Sequence, residues 1–137
     1  KGWRSAGLAD HLDVTTTILD IAGLSPMFAH RGRSLRSHVL AGPADPGAQT
    51  GRKAVFSEVG SQIKPSEGGA QYQLSMIRTQ DHKMSVAYKT FEPIELYDLK
   101  KDPQELTNRV NNTDYAGVRN ELTQQMKTAF GAPTSTR

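Results

Sequence analysis

Glu95-Leu96-Tyr97-Asp98-Leu99-Lys100-Lys101-Asp102-Pro103-Gln104-Glu105-Leu106-Thr107-Asn108 is the stretch on which the reading of this chain turns. Its first part continues Ile94 into a strand that ends at Leu99. Asp102 before Pro103 then predicts a helix start, because proline at the first helical position loses no needed N–H and the carboxylate can accept from orphan donors. Glu105, three residues on, completes a capping box, and Asn108 can end the single turn in a left-handed conformation. Carboxylates this dense also suit a metal or an acid–base pair. Capping accounts for both, so Asp102 and Glu105 are assigned as structural caps.

Working upstream, the same period of two recurs. Val55, Ser57 and Val59 alternate with Phe56 and Glu58. Beyond the Gly- and Ser-rich stretch from Gly60 to Gly69, Tyr72, Leu74 and Met76 share one face of a second strand. Met84, Val86 and Tyr88 make a third, joined to the second by Gln80-Asp81, a hairpin turn in which Asp81 tolerates left-handed geometry. Four strands in meander order predict an antiparallel sheet with one covered face. The cover lies downstream, where Tyr115, Val118, Leu122, Met126 and Ala129 recur at steps of three and four. Thr113 is the expected N-cap and Asp114 suits the positive end of the helix dipole, while Gly131 and Pro133 stop the helix. An aromatic and Met stripe at this spacing is read as core, not as a ligand site. The predicted class is α+β: a four-stranded antiparallel sheet covered by a C-terminal amphipathic helix.

A short helical lead-in precedes the sheet. Asp13 to Gly23 reads as a helix with Asp13 as its cap, Val14, Ile18 and Ile21 at helical spacing, and Gly23 as the left-handed exit. The three threonines Thr15, Thr16 and Thr17 weaken its propensity, so it is expected to depend on packing of Ile18, Leu19 and Ile21. A second short helix is expected from about Ser34, carrying Leu35, Val39 and Leu40, before a linker from Gly42 to Gly51. The chain is thus divided into a lead-in, 1–52, and a sheet-and-helix subdomain, 53–137.

At 137 residues and 15.0 kDa, two catalytic lobes will not fit. Leu, Ile, Val and Phe supply only about 20% of the residues, so a neighbouring surface is expected to complete the core. The basic group Arg31, Arg33 and Arg36 lacks the aromatic interleaving of a single-strand platform, and the net charge is only +3, so no nucleic-acid partner is expected. No apolar run approaches the roughly 20 residues of a membrane span. Zero Cys excludes disulfides and a cysteine nucleophile within the chain while leaving the compartment open, periplasm and cytoplasm alike. The opening Lys1-Gly2-Trp3, without initiator Met or signal pattern, reads as a truncated or processed polypeptide.

The quoted stretch resembles the E-L-Y-D-L-x-x-D-P-x-E-x-x-N signature near the C-terminus of sulfatases, matching every specified position. His11 to Gly23 is similar to the family's H-V-D-L-x-P-T-L-L-D-L-A-G helix, with Thr16 in place of the proline, and Gly32-Arg33-Ser34-Leu35 to its G-x-S-L. Val55-Phe56-Ser57-Glu58 resembles its first C-terminal strand. Ile77-Arg78-Thr79 with Lys83 resembles its I-R-T-x-x-x-K hairpin, with His82 replacing an aromatic. The resemblance covers about residues 8 to 130.

It implies the C-terminal fragment of a sulfuric ester hydrolase of the alkaline-phosphatase-like superfamily. The resemblance makes the lead-in, 1–52, the end of the family's catalytic domain and its linker, and 53–137 the C-terminal subdomain. The sheet and C-terminal helix of that subdomain are expected to dock on the upstream catalytic domain, completing the fold and one wall of the substrate cleft. The family's formylglycine arises in C/S-x-P-x-R, which this chain lacks, and its divalent metal, calcium by expectation, is held upstream. No catalytic or metal-binding residue is therefore assigned here, no cofactor is expected within the chain, and the chain alone is expected to be inactive. No G-x-S-x-G, H-E-x-x-H or G-x-x-x-x-G-K occurs either. The rim candidates facing a sulfate-ester substrate are His11, Glu58, His82 and Lys83. Their bland alternatives are a helix-entrance hydrogen bond for His11 and solvated strand or hairpin positions for the rest. Other readings are a free-standing interaction module, or the tail of a related phosphodiesterase or phosphonate hydrolase.

Overall fold

The computed structural model describes residues 4–42, 51–60, 73–88 and 90–130. The interior of the expected linker, nearly all of the Gly- and Ser-rich stretch, Tyr72, Gly131 and Pro133 lie outside the described residues. The chain forms two compact units, Lys1–Val55 and Phe56–Arg137.

In the first unit, α1 spans His11–Ile21 and α2 spans Arg36–Ala41. The cap of α1 is Asp10, not Asp13. The Asp10 carboxylate accepts from the Leu12 N–H at 2.8 Å while Asp13, one turn in, accepts from the Asp10 N–H at 3.0 Å, a reciprocal capping box. Gly23 takes the expected left-handed exit with φ +71°. The expected packing of Ile18, Leu19 and Ile21 does not occur. Ile18 and Ile21 stand 62% and 60% exposed, Leu19 is half-buried, and the buried face carries Asp13 and Thr17 instead.

That inversion has a specific cause, because the polar side of α1 is hydrogen-bonded to the chain around Gly32 and to Arg52. Asp13 accepts from the Arg33 N–H at 2.7 Å and from Arg52 Nε at 2.6 Å, and Arg52 Nη2 binds the same carboxylate. The Thr17 hydroxyl donates to the Asp13 carbonyl at 2.6 Å and accepts from the Leu35 N–H at 2.8 Å. The Ser34 hydroxyl donates to Asp20 at 2.5 Å. Gly32 is required for the approach, since a Cβ there would strike the Thr16 hydroxyl and the Leu12 carbonyl. Arg52 is delivered by a short backbone bridge, its N–H donating to the Leu8 carbonyl at 2.9 Å.

The second unit contains the sheet, β1 Val55–Gly60, β2 Gln73–Arg78, β3 His82–Ala87 and β4 Pro93–Asp98, in the order β1-β2-β3-β4. Both β2–β3 and β3–β4 are antiparallel, with Ile77 opposite Met84 and Met84 opposite Leu96. The Gln80-Asp81 hairpin forms as expected, the Thr79 N–H donating to the His82 carbonyl at 2.8 Å. Its geometry differs from expectation. The described non-glycine residues with positive φ are Phe91 and Glu105, so Asp81 is not left-handed. Leu74 and Met76 do share a face, but Ser75 and Ile77 are the buried residues of β2. The covering helix α3, Ala116–Phe130, follows a single 3-10 turn, Thr113–Tyr115, capped by Asn112 rather than Thr113. Ile77, Met84, Val86, Leu96, Leu122 and Met126 form the core, and Phe56 meets Phe130 edge-to-face at 5.6 Å.

The signature stretch corrects the capping assignment. Residues 99–110 form turns with no helix, and it is Glu105 that is left-handed, with φ +59°, not Asn108. Asp102 still binds backbone, accepting from the Thr107 N–H at 2.8 Å, but the Glu105 carboxylate leaves the loop for Lys83. Asn108 acts as a surrogate strand residue. Its Oδ1 accepts from the Leu96 N–H at 3.0 Å, its Nδ2 donates to the Ile94 carbonyl at 3.1 Å, and the next N–H, of Arg109, reaches the Leu96 carbonyl at 2.7 Å. The outer edge of β4 is thereby partnered, which protects it from adventitious pairing.

Candidate functional site

Of the four rim candidates, His11 is the exposed first residue of α1 in the first unit, and the other three lie in the second. Glu58 is exposed on β1 and accepts from the Ser75 hydroxyl at 3.3 Å. His82 and Lys83 are neighbours on β3 and therefore point to opposite faces of the sheet. His82 lies opposite Asp98 on the helix-covered face, and its ring meets Tyr115 edge-to-face at 6.4 Å. Lys83 lies opposite Tyr97 and Arg78 on the other face. The two cannot act as one recognition pair.

Around Lys83 the sheet builds a half-buried polar cluster. The ammonium pairs with Glu105 and sits 5.7 Å above the Tyr97 ring, and the Tyr97 hydroxyl donates to Glu95 at 3.4 Å. Burial raises the Tyr97 pKa, as do the nearby carboxylates of Glu95, Glu105 and Asp102, so the phenol stays a donor. Arg78 is exposed on the adjoining strand and shares this face. Chemically the cluster offers two cations, an aromatic ring and carboxylate acceptors, a set suited to polar recognition but containing no nucleophile–base pair.

The helix-covered side holds a second network that sequence reasoning did not single out. Asp98, which closes β4, is buried and accepts from the Tyr115 hydroxyl at 2.8 Å and from the N–H groups of Lys100 and Lys101, both at 3.1 Å. The Tyr115 hydrogen bond, with the Lys101 N–H and ammonium, outweighs burial and holds Asp98 at about 2. Its folded pKa lies below its unfolded value near 3.8, so its stabilisation is present above that value and is lost as pH falls through about 2. Tyr115→Phe is accordingly expected to cost about 1.5 to 3 kcal/mol at pH 6 and far less at pH 2. Urea midpoints at the two pH values check this, and an equal loss at both would count against it. In the first unit Asp13 is also held at about 2: burial would raise it, but Arg52 and the N–H groups of Arg33 and Asp10 prevail.

Among the described residues there is no group of three or more His, Asp or Glu side chains able to hold a metal ion. No described helix is long and apolar enough to cross a membrane.

Comparison with known proteins places this geometry. The family model for the C-terminal region of N-sulphoglucosamine sulphohydrolase matches residues 1–130. A curated N-acetylglucosamine-6-O-sulfatase of Bacteroides thetaiotaomicron is 31% identical over 126 residues, which make up 92% of this chain and 22% of that protein. A solved structure of a protein in complex with its substrate D-glucosamine-2-N,6-O-disulfate is 29% identical. It covers 85% of this chain and 23% of its own, with a TM-score of 0.64. A putative sulfatase from Bacteroides thetaiotaomicron, 24% identical with a TM-score of 0.69, covers 87% of this chain and 24% of its own and shares the fold. The chain thus spans less than a quarter of the length of each of these relatives.

Proposed function

Because this chain belongs to the sulfatase family, matching the C-terminal region of N-sulphoglucosamine sulphohydrolase, we propose that the whole protein hydrolyses sulfate esters carried on a glucosamine-type sugar. The observation that carries this reading is the family match over residues 1–130, which contains the signature stretch and the sheet it fastens. The substrate class follows from the names of the relatives, which concern N- and O-sulfated glucosamine. In this reading the segment serves as a wall and a support for a catalytic domain supplied by the rest of the polypeptide.

Formylglycine and a divalent metal belong, in the same reading, to that other part. The residues here do not fit them: the sequence has no C/S-x-P-x-R, and the described residues include no metal-holding cluster. No step is assigned through either group. What this chain can contribute is polar contact, and Lys83 is the rim candidate best placed for it. It stands beside Tyr97, Glu105 and Arg78 on the sheet face that α3 leaves uncovered. His82 and Glu58 address the helix-covered side instead.

The test is turnover by the intact protein of 6-O-sulfated glucosamine, an aryl sulfate and an aryl phosphate. Release of sulfate from the first two is expected. Preferential cleavage of the phosphate would move the protein to the related phosphodiesterases. The 137-residue chain alone is expected to give no turnover with or without calcium, and sulfate release by it would show that the active site had been misplaced. A gene without C/S-x-P-x-R upstream would leave a free-standing interaction module.

A further inference from the structure

Beyond α1 the chain leaves the helix surface and comes back to it. Gly23 turns it out with φ +71°, and the Leu24 N–H is tied to the Leu19 carbonyl at 2.9 Å. It returns at Gly32, whose backbone is pressed against Leu12 and Thr16. Along the helix axis these two ties lie no more than roughly 10 Å apart, whereas the residues between them could reach roughly 26 Å. The surplus is carried outward, and every residue from Ile21 to Ala29 is exposed. At the crest stand Pro26-Met27-Phe28-Ala29, with Met27 98% and Phe28 74% exposed, and Leu24 is 61% exposed on the rising limb. The Phe28 ring meets only the edge of His30, at 6.2 Å, and His30 Nδ1 accepts from the Gly32 N–H at 3.0 Å. Four consecutive exposed apolar residues add nothing to the core of this unit, and a run of that kind marks a contact surface.

We infer that this crest is a lipid-contact loop, with Met27 and Phe28 entering the headgroup–acyl boundary of an anionic bilayer while Arg31 and Arg33 meet headgroup phosphates. Charge selects the occupant. From Ile21 to Gly42 the chain has no Asp or Glu, but it has Arg31, Arg33 and Arg36, and the first two are exposed on the descending limb. The carboxylates of α1 nearest the loop are already engaged. Asp20 accepts from the Ser34 hydroxyl at 2.5 Å and pairs with Arg36 at 3.4 Å, and Asp13 is buried with Arg52. Exposed aliphatic residues elsewhere lack this setting. Val59, Ile94 and Leu106 of the second unit each adjoin a glutamate, Glu58, Glu95 and Glu105, well within a screening length of an anionic surface. A sulfated glycan would engage the cations and leave Met27 and Phe28 in water, and an apolar protein pocket would have no use for the arginines. An anionic bilayer uses both. Contact of this kind lies on the membrane and needs no spanning helix. It is independent of the sulfatase reading, because no residue of the loop is given a part in hydrolysis.

The experiment is flotation of the intact protein with vesicles of phosphatidylcholine alone and with about 30% phosphatidylglycerol. At low salt the protein is expected to bind the anionic vesicles at least about tenfold more tightly, since each arginine near such a surface contributes roughly fivefold. Met27→Ser combined with Phe28→Ser should lower that binding about tenfold or more, and Arg33→Glu by about as much. The thermal midpoint should stay where it is in both variants, because the side chains are exposed and the Arg33 N–H still reaches Asp13. An intact protein that does not prefer the anionic vesicles would overturn the inference. Binding by the 137-residue chain but not by the intact protein would do the same, by showing that the rest of the polypeptide covers the crest. Vesicle binding that falls with Arg33→Glu but ignores the loss of Met27 and Phe28 would also overturn it, and would make the loop a general polyanion surface. None of these readouts uses turnover, so failure to hydrolyse sulfate esters would leave the lipid contact standing.

Discussion

Arg52→Met is expected to destabilise the lead-in unit by about 3 to 5 kcal/mol, the cost of breaking a buried ion pair by removing one partner. The Asp13 side chain is about 1% exposed, and its carboxylate is held ionised by Arg52 together with the Arg33 and Asp10 N–H groups. Without the guanidinium the carboxylate stays buried against two backbone donors. It must then either keep an uncompensated charge or take up a proton, and each outcome favours opening. Nothing apolar offsets the loss, because this unit buries no large hydrophobic side chain among its described residues. The same guanidinium also binds the Arg31 carbonyl at 2.8 Å, so its removal frees the Gly32 turn as well. Hydrogen exchange checks the expectation. Protection of the Arg33 and Leu35 amides, which donate to Asp13 and Thr17, should fall at least about a hundredfold, while the strand amides of β2 to β4 keep theirs. Arg52→Met combined with Asp13→Asn should cost less than the two losses added, because the double variant leaves no stranded charge. Unchanged protection at Arg33 would show that the clasp contributes nothing.

Elements specified by local periodicity were legible, and elements specified by distant partners were not. The strand alternation placed β2 to β4 to within a residue or two, and the i, i+4 pair Leu122 and Met126 correctly marked the buried stripe of the covering helix. The capping box read into Asp102 and Glu105 failed because Lys83, 22 residues away, takes the Glu105 carboxylate. An ion pair at that separation leaves no trace in a window of four residues. Asp13 was misread for the same reason: its partner Arg52 is 39 residues on, so the residue looked like a terminal cap when it is the buried anchor of the helix. Val14, Ile18 and Ile21 were correctly placed on one face, but periodicity reports that an apolar face exists, not whether this chain covers it. The rim candidates were chosen by motif position. Strand parity then separated His82 from Lys83, a consequence that alternation already contains but that an eye on neighbouring residues overlooks.

Leu122→Ala should cost the second unit about 2 to 5 kcal/mol, the range for truncating a buried leucine when the surroundings cannot collapse into the space. Leu122 is 3% exposed, and α3 touches β2, β3 and β4 alike, so the lost side chain leaves a void walled by three strands rather than one that a mobile loop could fill. The expected loss is a large fraction of the roughly 5 to 15 kcal/mol that holds a typical domain. Leu122→Met, which nearly conserves volume with an unbranched chain, should cost less than about 1.5 kcal/mol. Guanidinium midpoints for the three proteins separate packing from helix propensity, because alanine is the better helix former and would stabilise α3 if propensity decided the outcome. A loss under roughly 0.5 kcal/mol for the alanine variant would mean that α3 does not cover the sheet. Then Ile77, Met84 and Leu96, which are fully buried, would need another partner.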